Sequence, residues 1–274
     1  MEVEKLIREA LAEDIGAGDI TSAACVPADR AASGQFVAKQ ECVVAGLDLL
    51  PLIYELQPEI CFPNGSRVAA GSVIARISGP ARRLLERERV ALNFIQRLSG
   101  IATLTRRFVD AVEGTGVTIL DTRKTTPGLR KLEKQAVAAG GGRNHRLGLY
   151  DAILIKENHV AAAGGIRAAV AAANRGPYPV EVEVRNLEEL DEALEAGAAR
   201  LLLDNMTPEQ VRACVQRVRQ HGPARPEVEV SGGITLANVR QYALAGPDFI
   251  SVGALTHSAP AADISFLLQA GPGA

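Results

Sequence analysis

From about residue 117 onward, short β-branched and apolar runs alternate with longer stretches whose apolar residues recur at helical spacing. Each helix-like stretch ends close to a glycine, which is typical of helix C-termini. This strand–helix rhythm predicts a parallel sheet. Six or seven such units are too many for a small open sheet and too few for an eightfold barrel, so we predict an incomplete, TIM-like α/β barrel. The predicted strands cover residues 117–121, 152–156, 180–184, 200–204, 227–231 and 248–252.

The first part of the chain follows another pattern. Residues 3–11 place apolar side chains at helical spacing, and strand candidates follow at 35–40, 42–46 and 72–78. Turn signals between these strands indicate a small α+β domain. A long helical stretch over residues 81–114 would connect this domain to the barrel, so we predict domains at 1–105 and 106–255.

Composition limits the classes of function. The 274-residue chain is 47% hydrophobic but only 4% aromatic, and its net charge is −2. A pI near 6.1 with so few rings disfavours nucleic-acid binding, which requires a basic surface and stacking platforms. The acidic N-terminus does not resemble a signal peptide, and no apolar run approaches the roughly 20 residues of a membrane helix. We therefore expect a cytoplasmic protein, with four reduced and mostly buried cysteines.

Positive charge is concentrated in residues 121–159, which contain eight Lys and Arg against four Asp and Glu. Arginine binds planar carboxylates in a bidentate manner and lysine adds a point charge, so the segment predicts a pocket for a substrate with several carboxylates. By contrast, Arg130, Lys131 and Lys134 are expected to face water on a helix. The pocket candidates are Arg123, Lys124, His145, Arg146 and Lys156.

Carboxylates and glycines follow at later strand ends, where barrel enzymes place their active sites. Glu181 and Glu183 share one face of their strand, which predicts an inward pair of acids. Glu183 and Asp204 suit Mg²⁺ or ribose hydroxyls, because hard cations prefer oxygen ligands. The alternative is that the interior acids only balance Lys and Arg.

The motifs VSGGIT (230–235) and SVGALTHS (251–258) have the character of a phosphate-binding loop. The alternative is that their glycines only form tight turns. His159 and His221 lack partners at metal-ligand spacing, and His257 lies close to the proposed phosphate loop, so no zinc site is expected. Serine-hydrolase, P-loop and Rossmann motifs are absent from the sequence.

Six motifs taken together resemble the quinolinate phosphoribosyltransferase family, the carboxylating nicotinate-nucleotide pyrophosphorylases. The motifs are DTRKTTPGLR, EKQAVAAGGGRNHRLGLYDAILIKENH, EVEV, LLDN, VSGGIT and SVGALTHS. The resemblance extends from EDIGAGDIT (13–21) almost to the C-terminus. It implies transfer of phosphoribose from 5-phosphoribosyl-1-pyrophosphate to quinolinate, with loss of CO₂ and pyrophosphate, in de novo NAD biosynthesis. It also implies an N-terminal α/β sandwich, a partly open α/β barrel and Mg²⁺ as cofactor. The tail, residues 256–274, is expected to return to the N-terminal domain.

The resemblance also assigns residues and partners. The quinolinate-binding set is Arg89, Arg123, His145, Arg146 and Lys156. Arg89 is expected from the neighbouring subunit of a homodimer, and a hexamer of dimers is left open. The expected catalytic residues are Lys124, Lys156, Glu183 and Asp204. Glu183 and Asp204 are expected to bind Mg²⁺, either directly or indirectly. The phosphoribosyl pyrophosphate set is Lys124, Glu183, Asp204, Ser231, Gly232, Gly253 and His257.

Three alternatives remain open from the sequence. The first is a paralogous pyrophosphorylase-like protein associated with molybdate transport, against which the NHR and IKENH elements argue. The second is a nicotinate phosphoribosyltransferase that does not decarboxylate its substrate. The third, from a different class, is a phosphate-binding barrel that senses a nucleotide without turnover.

Overall fold

Two structural units divide the chain in the computed structural model, which describes residues 3–270, except for the side chain of Ala270. The first unit comprises residues 3–106, 126–141 and 258–270, and the second comprises 107–125 and 142–257. The strands are β1 (Ala31–Ala38), β2 (Cys42–Val43), β3 (Glu59–Ile60), β4 (Arg67–Val68), β5 (Val73–Pro80), β6 (Thr118–Leu120), β7 (Ile153–Ile155), β8 (Val180–Val184), β9 (Arg200–Asp204), β10 (Glu227–Ser231), β11 (Phe249–Ser251) and β12 (Ile264–Ala270).

The helices follow the spacing of apolar residues along the chain. They are α1 (Val3–Ile15), α2 (Ile20–Cys25), α3 (Leu50–Tyr54), α4 (Ala81–Ala111), α5 (Arg130–Ala139), α6 (Glu157–Ala163), α7 (Ile166–Ala173), α8 (Leu187–Glu195), α9 (Pro208–Arg219), α10 (Val239–Ala243) and α11 (Ala254–His257), with a 3₁₀ turn at Leu47–Leu49. Within the described part of the chain, every helix is too short or too polar to cross a bilayer.

The first unit contains an antiparallel sheet in the order β12-β1-β5-β3. Its aromatic residues pack on one another, and the rings of Phe36 and Phe266 lie 4.8 Å apart. Because Phe266 lies on β12, the chain after the second unit supplies an outer strand of this sheet. The predicted return of residues 256–274 corresponds to residues 258–270, whereas 271–274 lie outside the described residues.

The second unit is built on a parallel sheet of six strands in the order β6-β11-β10-β9-β8-β7. Among the described residues no strand ladder joins β6 to β7, so this barrel stays open on one side. The prediction of an incomplete TIM-like α/β barrel is confirmed, with six strands. Three predicted strands match β8, β9 and β10 at both ends, and the other three are shorter than predicted.

Side chains alternate between the two faces of strand β8, so one row is apolar and the other is acidic. Val180, Val182 and Val184 of β8 are at most 1% exposed. Glu181 and Glu183 occupy the other face, as the period of two requires. Glu181 is 5% exposed, and the Glu183 side chain is 10% exposed. The predicted inward pair of acids is therefore present.

Several predictions about individual segments are wrong. Residues 126–141 were assigned to the barrel, but they belong to the first unit. Lys134 was expected to face water, yet it is 3% exposed because α5 buries this side together with Glu133 and Val137. Of the four free cysteines, only Cys42 and Cys214 are buried.

Candidate active site

A cavity of about 250 Å³ lies in the second unit, at the carboxyl ends of its strands. Parallel strands end at the same edge, so residues far apart in sequence meet there. We call the cavity's Lys, Arg and His residues the cationic wall and its Glu and Asp residues the acidic wall. The lining residues of the cavity are Thr122, Arg123, Lys124, His145, Arg146, Leu154, Lys156, Glu183, Leu202, Asp204, Glu229, Ser231 and Ser251.

The buried Asp121 anchors the segment that carries His145 and Arg146. This carboxylate is 0% exposed and directly follows β6. Its Oδ1 accepts the His145 backbone N–H at 2.8 Å, and its Oδ2 accepts the Asn144 amide at 2.7 Å. Charge-assisted bonds of this kind are stronger than neutral ones, so Asp121 holds the loop after α5 against the edge strand.

His145 is held by two acids from the strands on either side of β9. Its Nε2 lies 3.1 Å from Glu181 Oε2 and 3.5 Å from Glu229 Oε2. Burial alone would lower the pKa of His145, but the hydrogen bonds to the two carboxylates raise it to about 9. The Glu229 carboxylate also contacts Arg200 and Ser251.

The other ring nitrogen of His145 reaches its neighbour in sequence. The backbone N–H of Arg146 donates to Nδ1 at 2.7 Å, a contact that requires this nitrogen to be unprotonated. The hydrogen bond therefore favours a neutral ring protonated at Nε2, whereas the carboxylates favour the imidazolium. Both forms share the proton on Nε2, and a second proton on Nδ1 would replace the contact with the Arg146 N–H.

Further cations line the same wall. The Arg146 guanidinium donates to the Ala152 carbonyl at 3.3 Å, and burial, together with the nearby Arg123, lowers its pKa. Lys156 follows β7 and is the N-cap residue of helix α6, and its Nζ lies 3.0 Å from Glu183 Oε2. This ion pair joins the cationic wall to the acidic one.

Asp204 extends the acidic wall from β8 to β9. Its Oδ2 accepts the side-chain amide of Asn205 at 2.7 Å. The Asn205 backbone N–H in turn donates to the Ser231 carbonyl at 2.9 Å, so the ends of β9 and β10 are tied together. Glu183 and Asp204 therefore present carboxylate oxygens from neighbouring strands to one cavity.

A second cavity, of about 230 Å³, is formed by the glycine motifs. Gly232 adopts a left-handed φ of +97°, which an L-residue with a side chain rarely adopts. Gly253 precedes the short helix α11, so backbone N–H groups are available at this turn. The lining residues are Lys124, Ser231, Gly232, Gly233, Ile234, Thr235, Ser251, Val252, Gly253, Ala254 and His257. Because Lys124, Ser231 and Ser251 line both cavities, the two are contiguous.

The structure brings together the predicted site residues of the second unit. One predicted residue stands apart: Arg89 is exposed on α4 of the first unit and does not line either cavity. Sequence reasoning missed the acid Glu229 and the hydroxyl of Ser251. For Glu229 a signal existed, because EVEVS of β10 repeats the alternation that identified the acids in VEVEV of β8.

The chain matches two family models. The one described as quinolinate phosphoribosyl transferase, N-terminal domain, matches residues 19–99. The one described as quinolinate phosphoribosyl transferase, C-terminal domain, matches residues 101–267. Between them the two models account for most of the chain.

Curated proteins and solved structures give the same result. A probable nicotinate-nucleotide pyrophosphorylase (carboxylating) of Bacillus subtilis is 43% identical over 97% of this chain and 93% of that protein. The corresponding carboxylating pyrophosphorylase of Mycobacterium leprae is 44% identical, over 94% of each chain. The structure of the nicotinate-nucleotide pyrophosphorylase from Francisella tularensis is 40% identical and superimposes with a TM-score of 0.93, covering 97% of this chain and 96% of that one. Similarity at this level over nearly the full length shows that the chain belongs to the quinolinate phosphoribosyltransferase family.

Proposed function

We propose that this chain transfers the phosphoribosyl group of 5-phosphoribosyl-1-pyrophosphate to the nitrogen of quinolinate, with loss of CO₂ and pyrophosphate. The product is nicotinate mononucleotide, an intermediate of de novo NAD biosynthesis. The observation that carries the proposal is the continuity of the two cavities: a cationic wall suited to a dicarboxylate adjoins glycine turns suited to a phosphate. One substrate fits each cavity, and Lys124 lies where they meet.

For quinolinate, we assign carboxylate binding to Arg123, His145, Arg146 and Lys156. Two carboxylates held by fixed cations would leave the pyridine ring one orientation, with its nitrogen directed towards C1 of the ribose. Holding the reactants in this way turns an encounter into an oriented attack. Lys156 has a second role in this assignment, because its charge lies close to the carboxylate that is lost.

For phosphoribosyl pyrophosphate, we assign the 5-phosphate to the turns at Ser231, Gly232 and Gly253, with His257 beside them. Lys124 would contact the pyrophosphate, whose negative charge grows as the bond to C1 breaks. Glu183 and Asp204 would hold ribose hydroxyls and stabilise the positive charge that develops on the sugar.

Mg²⁺ is part of this proposal. Carboxylate oxygens are the ligands that this cation prefers, and Glu183 and Asp204 line one wall of the cavity from adjacent strands. These residues therefore fit the ion, directly or through bound water. When bound, Mg²⁺ would neutralise charge on the pyrophosphate leaving group.

Loss of CO₂ requires no electron sink from the protein. Once the ring nitrogen carries the ribose it is cationic, and the electron pair left at C2 lies on the adjacent carbon. The adduct therefore stabilises its own carbanion. The carbanion at C2 then takes up a proton from solvent, which completes nicotinate mononucleotide. The residues of this chain have only to keep the departing carboxylate oriented, which is the role we assign to Arg146 and Lys156.

We also propose a homodimer in which Arg89 completes the quinolinate site of the neighbouring subunit. Arg89 is an exposed cation on α4, and both cavities are lined by the second unit alone. Leu149 and Tyr150, which follow the cationic segment, are 75% and 70% exposed and offer an apolar surface to a second copy. Further assembly into a hexamer stays a prediction. A cytoplasmic location also stays a proposal, with which four free thiols agree.

The test is an endpoint assay with quinolinate, phosphoribosyl pyrophosphate and Mg²⁺. Quinolinate labelled at the C2 carboxylate reports CO₂ release, and chromatography reports nicotinate mononucleotide. Nicotinate serves as the parallel substrate. We expect turnover of quinolinate with equal amounts of CO₂ and mononucleotide, and no product from nicotinate.

Other results would redirect the proposal. Turnover of nicotinate alone would mean that the cationic wall binds a monocarboxylate. No turnover with either substrate, by a folded protein at its native oligomeric state, would favour the molybdate-associated paralogue or a nucleotide sensor.

A further inference from the structure

Two buried carboxylates meet at His145, and the reaction described above assigns no role to either. Glu181 lies on β8 and is 5% exposed; Glu229 lies on β10 and is 1% exposed. Both approach the same nitrogen, Nε2, at 3.1 and 3.5 Å. Two acids around one imidazole are more than a simple ion pair requires.

This cluster is costly for the fold. Glu181 Oε1 is buried, and no hydrogen-bond partner for it is found among the described residues. A buried acceptor without a partner loses its hydration without compensation. Glu229, by contrast, contacts Ser251 and lies 3.4 Å from Arg200, whose guanidinium stacks 4.4 Å from the ring of Phe249. A neutral side chain would satisfy the core better than Glu181 does, which points to a role in the site rather than in stability.

We infer that Glu181 and Glu229 are positioning residues for the proposed quinolinate site: they hold the Nε2–H of His145, so that the imidazole keeps one orientation and a positive charge towards a substrate carboxylate. The inference rests on the proposed function, and it deepens it by explaining how a buried histidine becomes an anion ligand. The two carboxylates act through the ring. Glu181 does not line the cavity, so it can act on the substrate only through the ring, whereas Glu229 also lines the cavity wall.

Electrostatics alone predicts the opposite effect on quinolinate binding. Quinolinate is a dianion, so removing a nearby negative charge would tighten its binding if the acids acted only through their charge. Removing it should weaken binding if the acids act through His145. The sign of the change in affinity therefore separates the two explanations.

The test uses Glu181→Gln and Glu229→Gln, which keep the shape of the side chain but remove its charge. The matched control is Glu227→Gln. Glu227 lies on β10, like Glu229, and also pairs with Arg200, at 2.6 Å, but its side chain is exposed. For each full-length protein, KM for both substrates and kcat are measured. We expect KM for quinolinate to rise about tenfold in the two core variants, as for one weakened charge-assisted hydrogen bond, with KM for phosphoribosyl pyrophosphate unchanged.

A double-mutant cycle shows whether the effect passes through His145. In a His145→Gln background, Glu181→Gln should have little further effect on KM for quinolinate, because the group that it positions is gone. If Glu229→Gln fails to fold, Glu181→Gln and the cycle decide the question alone. An unchanged or lower KM in Glu181→Gln, or a full effect without His145, would overturn the inference. A wild-type protein inactive on quinolinate would instead overturn the proposed function.

Discussion

At the scale of single residues, the site depends on cations that are paired rather than free. Lys156 Nζ lies 3.0 Å from Glu183 Oε2, so the same ammonium group balances an acid of the site and faces the cavity. A substrate carboxylate can share this cation without displacing it from the wall. This dual contact makes Lys156 more sensitive to substitution than a lysine on an outer surface.

Lys156→Ala should therefore lower kcat/KM for quinolinate by about 10- to 100-fold, the range expected for a lost charge-assisted hydrogen bond that also leaves an acid unpaired. Steady-state kinetics with both substrates measure the effect. Lys131→Ala is the control, because Lys131 is basic and exposed on α5. Wild-type kinetics in Lys156→Ala would contradict the assignment of Lys156 to quinolinate binding.

His145 leads to a prediction about pH. Its pKa is raised from 6.5 to about 9, so the folded protein binds this proton more tightly than the unfolded chain. The contribution of the imidazolium to stability is complete below pH 6.5 and is lost as the pH rises through about 9. Quinolinate affinity should fall over the same upper range. Calorimetric titration of quinolinate between neutral and alkaline pH measures this, and His145→Gln should show a much flatter profile.

At the scale of elements, alternation and helical spacing were enough to predict the strands of the barrel. In VEVEV the acids alternate with valines, and successive side chains of a strand point to opposite faces, so the inward acids could be predicted. RLLLD shows its length as an apolar run that ends in an acid. The short strands β3 and β4 have only two residues each, too few to leave a pattern. β12 pairs with β1, more than 200 residues away in sequence, and local periodicity carries no information about such a partner.

The glycine turns lead to a prediction about one element. A Cβ added at Gly232 would lie 2.2 Å from Asn205 Oδ1, in a backbone conformation that alanine rarely adopts. Gly232→Ala should displace the turn, and we expect KM for phosphoribosyl pyrophosphate to rise about tenfold or more, as for one or two lost backbone hydrogen bonds. KM for quinolinate should change much less.

Gly233→Ala is the matched variant for this turn. Gly233 also has a positive φ, +63°, but an added Cβ would meet nothing within 4 Å. Both variants therefore carry backbone strain, while only Gly232→Ala adds the clash. Equal effects in the two variants would attribute the loss to strain and would weaken the assignment of Gly232 to close phosphate contact.

At the scale of the whole molecule, the sequence predicted every charged residue of the cavity except Glu229, but it did not predict which unit helix α5 packs on. Residues 126–141 looked like one more helix of the barrel, yet they group with the first unit, where Glu133 accepts hydrogen bonds from Arg97 and Thr126. Burial of Lys134 follows from the same packing. A helix has the same apolar spacing whichever unit it packs on, so periodicity could not make this assignment. Periodicity also cannot show whether Arg89 acts in its own subunit or in a neighbouring one.

A complementation experiment tests whether Arg89 acts across a subunit interface. Arg89→Ala and Lys124→Ala should each be nearly inactive alone, because each damages every site of its own homodimer. If Arg89 serves the neighbouring subunit, a mixed dimer has one site with both substitutions and one with neither. Random pairing of equal amounts should then restore about a quarter of the wild-type sites, since half of the dimers are mixed and each regains one site. Activity of the refolded or co-expressed mixture measures this. If both residues serve the same subunit, every site keeps one substitution, and the mixture should stay as inactive as its components.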